Sequence, residues 1–228
     1  MTSTKTALLV GASGLIGGHC LRFLLDEPAY QRVTILVRSS LPVVHEKLIQ
    51  RTIDFSEIET LGDIFTADDV YCCLGTTIKK AGSQEAFRKV DFDYPVKLAA
   101  LTQHCGANQF LLVSSLGANT HSRVFYSRIK GEVEEAIRKI SFTSLHIFRP
   151  SLLLGERKEH RLGEQIGAAV MKTFKHAMIG SFQKYRAIQA QDVAKVLVRV
   201  AQLGIEGVNI FESHQIQKIA DEQVKTRS

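Results

Sequence analysis

Short apolar runs alternate with amphipathic stretches along this chain. Leu8-Leu9-Val10, Val33-Thr34-Ile35-Leu36-Val37, Val70-Tyr71-Cys72-Cys73-Leu74 and Phe110-Leu111-Leu112-Val113 read as strands, with a further short one near Arg51-Thr52-Ile53. Residues 143–148 and 208–211 add two more. Between them, Leu21, Phe23, Leu24 and Leu25 fall at helical spacing. Apolar positions over 86–104 predict a helix bent near Pro95 and ended by Gly106, and Phe125, Ile129, Val133 and Ile137 recur at four-residue steps. Val193, Val196, Leu197 and Val200 mark the buried face of a helix over 191–203. Strand and helix in alternation call for an α/β fold with a doubly wound parallel sheet of Rossmann type. The chain reads as a single domain over 1–228, with a small C-terminal lobe in which 151–185 contribute the substrate pocket. In that lobe 156–161 read as a charged loop, 162–178 as an amphipathic helix, and the polar tail from Lys218 as helical or frayed.

The first strand runs into Gly11-Ala12-Ser13-Gly14-Leu15-Ile16-Gly17, a Gly-x-x-Gly-x-x-Gly turn that opens a helix. Glycine tolerates positive φ and lets a backbone approach a ligand closely. A helix start offers free N–H groups and a positive dipole end to a phosphate. Strand, glycine turn and helix in that order point to a dinucleotide site; the bland reading is a tight packing turn. Arg38 follows the second strand, where an acidic residue would accept from the ribose 2′-hydroxyl of NAD and an arginine suits the 2′-phosphate of NADP. NADP(H) is therefore the expected cofactor. Asp54-Phe55 is positioned to flank the adenine, with Asp63 a rival. Leu74-Gly75-Thr76-Thr77 ends an apolar strand with small residues where a cofactor's backbone passes.

The reactive groups gather after the Phe110–Val113 run. Ser114 and Ser115 end that strand, and Tyr126 and Lys130 lie four apart on one helical face. An ammonium beside a phenol favours the phenolate, which makes Tyr126 a usable proton donor. A strand-end hydroxyl, Ser115 or Ser114, can hold a substrate carbonyl in line with it. Tyr-x-x-x-Lys alone marks only an exposed helix face; with the glycine turn it becomes a constellation.

Composition adds little against this. The 228 residues are 45% hydrophobic, enough for a core, and no run approaches membrane-spanning length. The first residues lack the build of a signal peptide. Cys20, Cys72, Cys73 and Cys105 show neither zinc spacing nor a disulfide framework, which suggests a reducing cytoplasm. Cys72 and Cys73, adjacent on a strand, should face opposite ways. The net charge of +6 comes from dispersed Lys and Arg, not a stripe, so no nucleic-acid or membrane partner is expected. Lys158, Arg161, Lys172, Lys175 and His176 suit either an anionic substrate or a solvated helix face. The eight histidines show no metal spacing. Exposed helix faces leave room for a homodimer without specifying one.

The chain resembles the atypical short-chain dehydrogenases/reductases, and more narrowly the Tat-interacting oxidoreductase-like family. The likeness rests on Gly11-Ala12-Ser13-Gly14, Asp54-Phe55, Cys72-Cys73-Leu74-Gly75-Thr76-Thr77, Lys80-Ala81-Gly82, Val90-Asp91, Asp93-Tyr94, Ser114-Ser115, Tyr126 with Lys130-Gly131-Glu132-Val133-Glu134, and Phe148-Arg149-Pro150. The resemblance implies that Ser13, Gly14, Leu15 and Ile16 contact the pyrophosphate. Arg38 would contact the 2′-phosphate, and Tyr126 and Lys130 the nicotinamide ribose. Leu153 would lie near the nicotinamide and Arg161 near a phosphate. Two departures stand out: Leu15 replaces an acidic residue of the human relative, and Asp91 stands where many superfamily members carry asparagine. Two functions follow. One is NADP(H)-dependent hydride transfer on a small carbonyl or alcohol; the other is an NADPH-loaded regulatory or scaffold protein with little turnover. Nucleotide-sugar epimerisation is disfavoured, because members with that activity usually carry a larger C-terminal lobe.

Overall fold

The computed structural model describes residues 4–60, 62–155 and 186–226. Seven strands form one parallel sheet: β1 (Lys5–Val10), β2 (Tyr30–Val37), β3 (Leu48–Thr52), β4 (Asp69–Cys72), β5 (Gln109–Val113), β6 (Ser144–Arg149) and, counted last in chain order, β9 (Gly207–Glu212). Their order across the sheet is β3-β2-β1-β4-β5-β6-β9. A separate pair, β7 (Leu153–Leu154) and β8 (Ile188–Gln189), brackets residues 156–185. The strand order reverses between β1 and β4, and in open parallel sheets that switch point is where ligands bind, at the carboxyl ends of the strands.

The helices are α1 (Leu15–Asp26), α2 (Ile78–Ala81), α3 (Gln84–Arg88), α4 (Tyr94–His104), α5 (Phe125–Arg138), α6 (Ala190–Val200) and α7 (Ser213–Thr226). On one face of the sheet, Leu21, Leu24 and Leu25 of α1 share a core with Val193, Val196, Leu197 and Val200 of α6 and Ile216 of α7. On the other, Leu98 and Ala99 of α4 and Val133 and Ile137 of α5 pack with Phe55, Ile58 and Phe65. Cys72 belongs to the second core and Cys73 packs on the first, as their adjacency on a strand requires.

The expected 86–104 helix begins slightly earlier, where Ser83 caps α3 by accepting from the Ala86 N–H at 3.1 Å. Its irregularity is a π turn, Lys89–Asp93, just before Pro95. The Tyr94 N–H donates to the Lys89 carbonyl, five residues back, and Pro95 has no N–H with which to continue an α pattern.

A buried polar cluster lies at the opposite, N-terminal end of the strands. Asp69 accepts from the Tyr30 hydroxyl at 2.5 Å, from Gln109 Nε2 at 2.9 Å and from Lys5 Nζ at 3.1 Å. Gln202 donates to the Tyr30 hydroxyl at 2.8 Å, and Gln109 Nε2 also reaches the Ala201 carbonyl at 3.1 Å. The turn after α6 is thereby fastened to the starts of β2, β4 and β5.

Candidate functional site

Gly11 leaves β1 with φ +89°, a conformation open to glycine, and a Cβ there would meet the Cys73 carbonyl oxygen at 2.4 Å. At Gly17 a Cβ would stand 2.0 Å from the Gly11 oxygen. These two glycines therefore let α1 start hard against β1 and β4. Gly14 is the N-cap of α1 and supplies no side-chain cap, and the first turn holds no acidic residue. The N–H groups of Leu15, Ile16 and Gly17 thus open the helix without a side-chain partner or counter-charge, which is the chemistry a pyrophosphate needs. Beside them lies a cleft of about 410 Å³ lined by Ser13, Arg38, Ser39, Ser40 and Leu41. Arg38 is exposed at the end of β2, facing this cleft, as its place in the sequence predicts.

Other expected contacts are placed differently. Phe55 is buried in the second core, with its ring 5.4 Å from that of Tyr94. The Asp54 carboxylate accepts from the Ser56 N–H at 2.8 Å, and its bonds to Ser56 hold its pKa below the ordinary value. Leu15 does not merely line the loop: a Cβ at Gly155 would lie 3.0 Å from its Cδ1, so its side chain reaches the residue that follows β7. Leu153 pairs with Ile188 and packs on the first core. Arg161, Lys158, Lys172, Lys175, His176 and the expected loop and helix of the C-terminal lobe lie outside the described residues, and the Asp63 side chain is likewise not described.

Tyr126 and Lys130 stand on α5 at the same end of the sheet. The Tyr126 ring packs 5.6 Å from buried Phe87. Lys130 is buried, and its Nζ lies 2.8 Å from Asp91 Oδ1. The other Asp91 oxygen accepts from the Thr76 N–H at 2.8 Å. Gly75 lies over this pair, since a Cβ there would sit 3.5 Å from Asp91 Oδ1 and 3.9 Å from Lys130 Nζ. Burial works to strip the proton from Lys130, but the Asp91 carboxylate and Tyr126 outweigh it, so its pKa is raised above 10.5.

The two serines part company. Ser114 is buried and its hydroxyl donates to Glu134 Oε1 at 2.5 Å, so it is spent on structure and is corrected out of the candidate catalytic set. Ser115 is half-buried and its hydroxyl donates to the Leu116 carbonyl at 3.3 Å. Glu134 itself, which sequence reading did not single out as buried, also takes Arg149 in a two-point grip at 3.0 and 2.6 Å. Arg149 reaches on to Glu212 at 3.0 Å. The outward signal was Glu134 four residues beyond Lys130, on the same face.

Fold, crevice and uncapped helix start together define the NAD(P)-binding Rossmann class. The chain belongs to the NAD dependent epimerase/dehydratase family, whose sequence profile matches residues 7–211. It is 38% identical to Protein HTATIP2 of Rattus norvegicus over 164 residues, 70% of this chain and 67% of that protein. To Protein FMP52, mitochondrial, of Candida albicans it is 35% identical over 208 residues, 89% of this chain and 90% of that one. The solved human epimerase family protein SDR39U1 with NADPH has the same fold, with a TM-score of 0.63 and 16% identity over 91% of this chain and 74% of its own. These relatives correct the cytoplasmic expectation, because the fungal ones are named mitochondrial. Free cysteines report redox conditions, not an address.

Proposed function

We propose that this protein is an NADP(H)-dependent oxidoreductase acting on a small carbonyl or alcohol, with mitochondria as its compartment. The observation that carries the reading is the Tyr126–Lys130 pair on α5, with a charged, buried lysine, at the sheet end where α1 begins uncapped. Arg38 and the cleft around it fit the 2′-phosphate, since a guanidinium matches phosphate geometry at two points. The N–H groups of Leu15, Ile16 and Gly17 would hold the pyrophosphate. When bound, the nicotinamide supplies or accepts the hydride. Tyr126 Oη gives or takes the proton at the substrate oxygen, Lys130 Nζ favours the phenolate it leaves behind, and Ser115 Oγ orients that oxygen. Solved structures of this fold hold NADPH or NAD, which supports a nicotinamide dinucleotide in this crevice; the preference for NADP(H) rests on Arg38.

The test is NADPH oxidation by wild type and Tyr126→Phe across aldehydes, ketones and quinones. Turnover should fall at least about 100-fold in the variant, with NADPH affinity kept. Tight NADPH binding with no turnover on any compound would favour a regulatory protein instead. Calorimetry should show NADPH binding more tightly than NADH and Arg38→Glu erasing that preference; tighter NADH binding by the wild type would sink the cofactor assignment.

A further inference from the structure

We propose that Asp91 is a positioning residue that binds the ammonium of Lys130 to the backbone of the β4 exit turn, so that lysine and cofactor-facing turn hold one fixed geometry. The inference rests on the reading of Tyr126 and Lys130 as the reactive pair. Asp91 is 1% exposed and divides its two oxygens between two elements: Oδ1 to Lys130 Nζ on α5 and Oδ2 to the Thr76 N–H beyond β4, each at 2.8 Å.

The helix carrying Asp91 is shaped for this. A π turn holds one residue more than an α turn, so the residues after it are rotated by about 100° relative to those before. Before the turn, Phe87 is buried against Tyr126 and Phe125. After it, Leu98 and Ala99 enter the second core. Inside it, Asp91 reaches Lys130. One helix thus supports the ring of Tyr126 and the ammonium of Lys130 while keeping its apolar face in the core.

Stability alone is a poor reason for such a pair, because a buried ion pair can be replaced by apolar side chains at little cost. Its location gives a better one. Three titratable groups face the ammonium: Asp91 from the π turn, Tyr126 from α5 and Cys72 from β4. Burial pushes the Cys72 thiol up to about 12, which leaves it neutral near neutral pH. Asp91 is thus the carboxylate, among these three, that keeps Lys130 charged in a buried place.

The test compares wild type, Asp91→Asn, Lys130→Met and the double variant, by NADPH calorimetry and by thermal unfolding from pH 6 to 9.5. Asparagine can still accept from Thr76 but no longer balances Lys130. In Asp91→Asn the lysine loses the largest counterweight to its burial and should titrate inside this window. NADPH affinity should then be weaker by about tenfold at pH 7 and fall further as pH rises. The unfolded lysine keeps its proton while the folded one sheds it, so the midpoint of Asp91→Asn should climb with pH relative to wild type. Lys130→Met and the double variant should show neither trend and should match each other in affinity within about twofold.

The double variant leaves no unpaired buried charge, so it decides the matter even if Asp91→Asn does not fold. A further large loss of affinity on adding Asp91→Asn to Lys130→Met overturns the proposal. So does a climbing midpoint with unchanged NADPH affinity, which would make the pair merely structural. A wild type that binds no NADPH removes the proposed function instead, while the midpoint trend still decides whether Asp91 holds the lysine.

Discussion

Between Gln109 and Phe211 lies His146, wholly buried, its Nε2 3.0 Å from Gln109 Oε1 and its pKa drawn by burial from 6.5 down to about 4. In the folded protein the ring stays neutral at pH values where the unfolded chain has already bound a proton. Stability contributed here is complete above about pH 6.5 and is lost as pH falls through 4, a total of about 3 kcal/mol. Urea unfolding at pH 7, 5.5 and 4.5 should show this, and His146→Gln should lose less stability over the same range than wild type; parallel losses would refute it. The sequence marked His146 only as one scattered histidine. Its partner Gln109 and neighbour Phe211 come from two other strands, and strand pairing brings them together only in the fold.

At the scale of elements, α5 is positioned by contacts on two sides. Glu134 fixes it to the ends of β5 and β6 through Ser114 and Arg149, and α5 presses on the loop before it at Gly131. Replacing Glu134 by alanine leaves Arg149 with Glu212 alone and the buried Ser114 hydroxyl without its acceptor, and should cost about 1–3 kcal/mol, read as a lowered unfolding midpoint. Gly131→Ala makes a sharper test, because helix propensity favours alanine by about 1 kcal/mol. A Cβ there would meet the Thr120 nitrogen at 2.3 Å and Asn119 carbon at 2.4 Å, both backbone, so overpacking at the upper end of about 1–3 kcal/mol should outweigh the propensity gain. A stabilised Gly131→Ala protein would contradict that contact. The apolar face of α5 was legible: Ile129, Val133 and Ile137 are buried as their spacing requires. Its polar side was not, because buried Lys130 and Glu134 look like any exposed charges until their partners, Asp91 and Arg149, arrive from other elements.

For the whole molecule, the doubly wound sheet was readable because strands covered on both faces must be apolar along the covered length, as residues 7–10, 70–72 and 110–113 are. The glycine turn was readable for a related reason: Gly11 and Gly17 stand where a Cβ would strike backbone, at the end of the sheet where open parallel folds bind ligands. What escaped was the polar cluster at the far end of the strands, whose members Lys5, Tyr30, Asp69, Gln109 and Gln202 are strewn across the sequence. A ligand that binds only the folded crevice should stabilise the entire sheet. NADPH at about 100 times its dissociation constant should raise the unfolding midpoint by about 5–10 °C, with NADH at equal concentration giving less.

The pairing of α1 with α6 has a consequence for how the protein is made. The apolar side of α1 emerges from the ribosome early, but the residues that cover it, Val193 to Val200, come near the end of the chain. The same delay holds for Tyr30, whose hydroxyl waits for Gln202. Throughout that interval the nascent chain carries a half-built sheet with one oily side bare. Newborn protein therefore needs shielding until α6 is synthesised, and a chain cut short before α6 should be captured by chaperones or degraded.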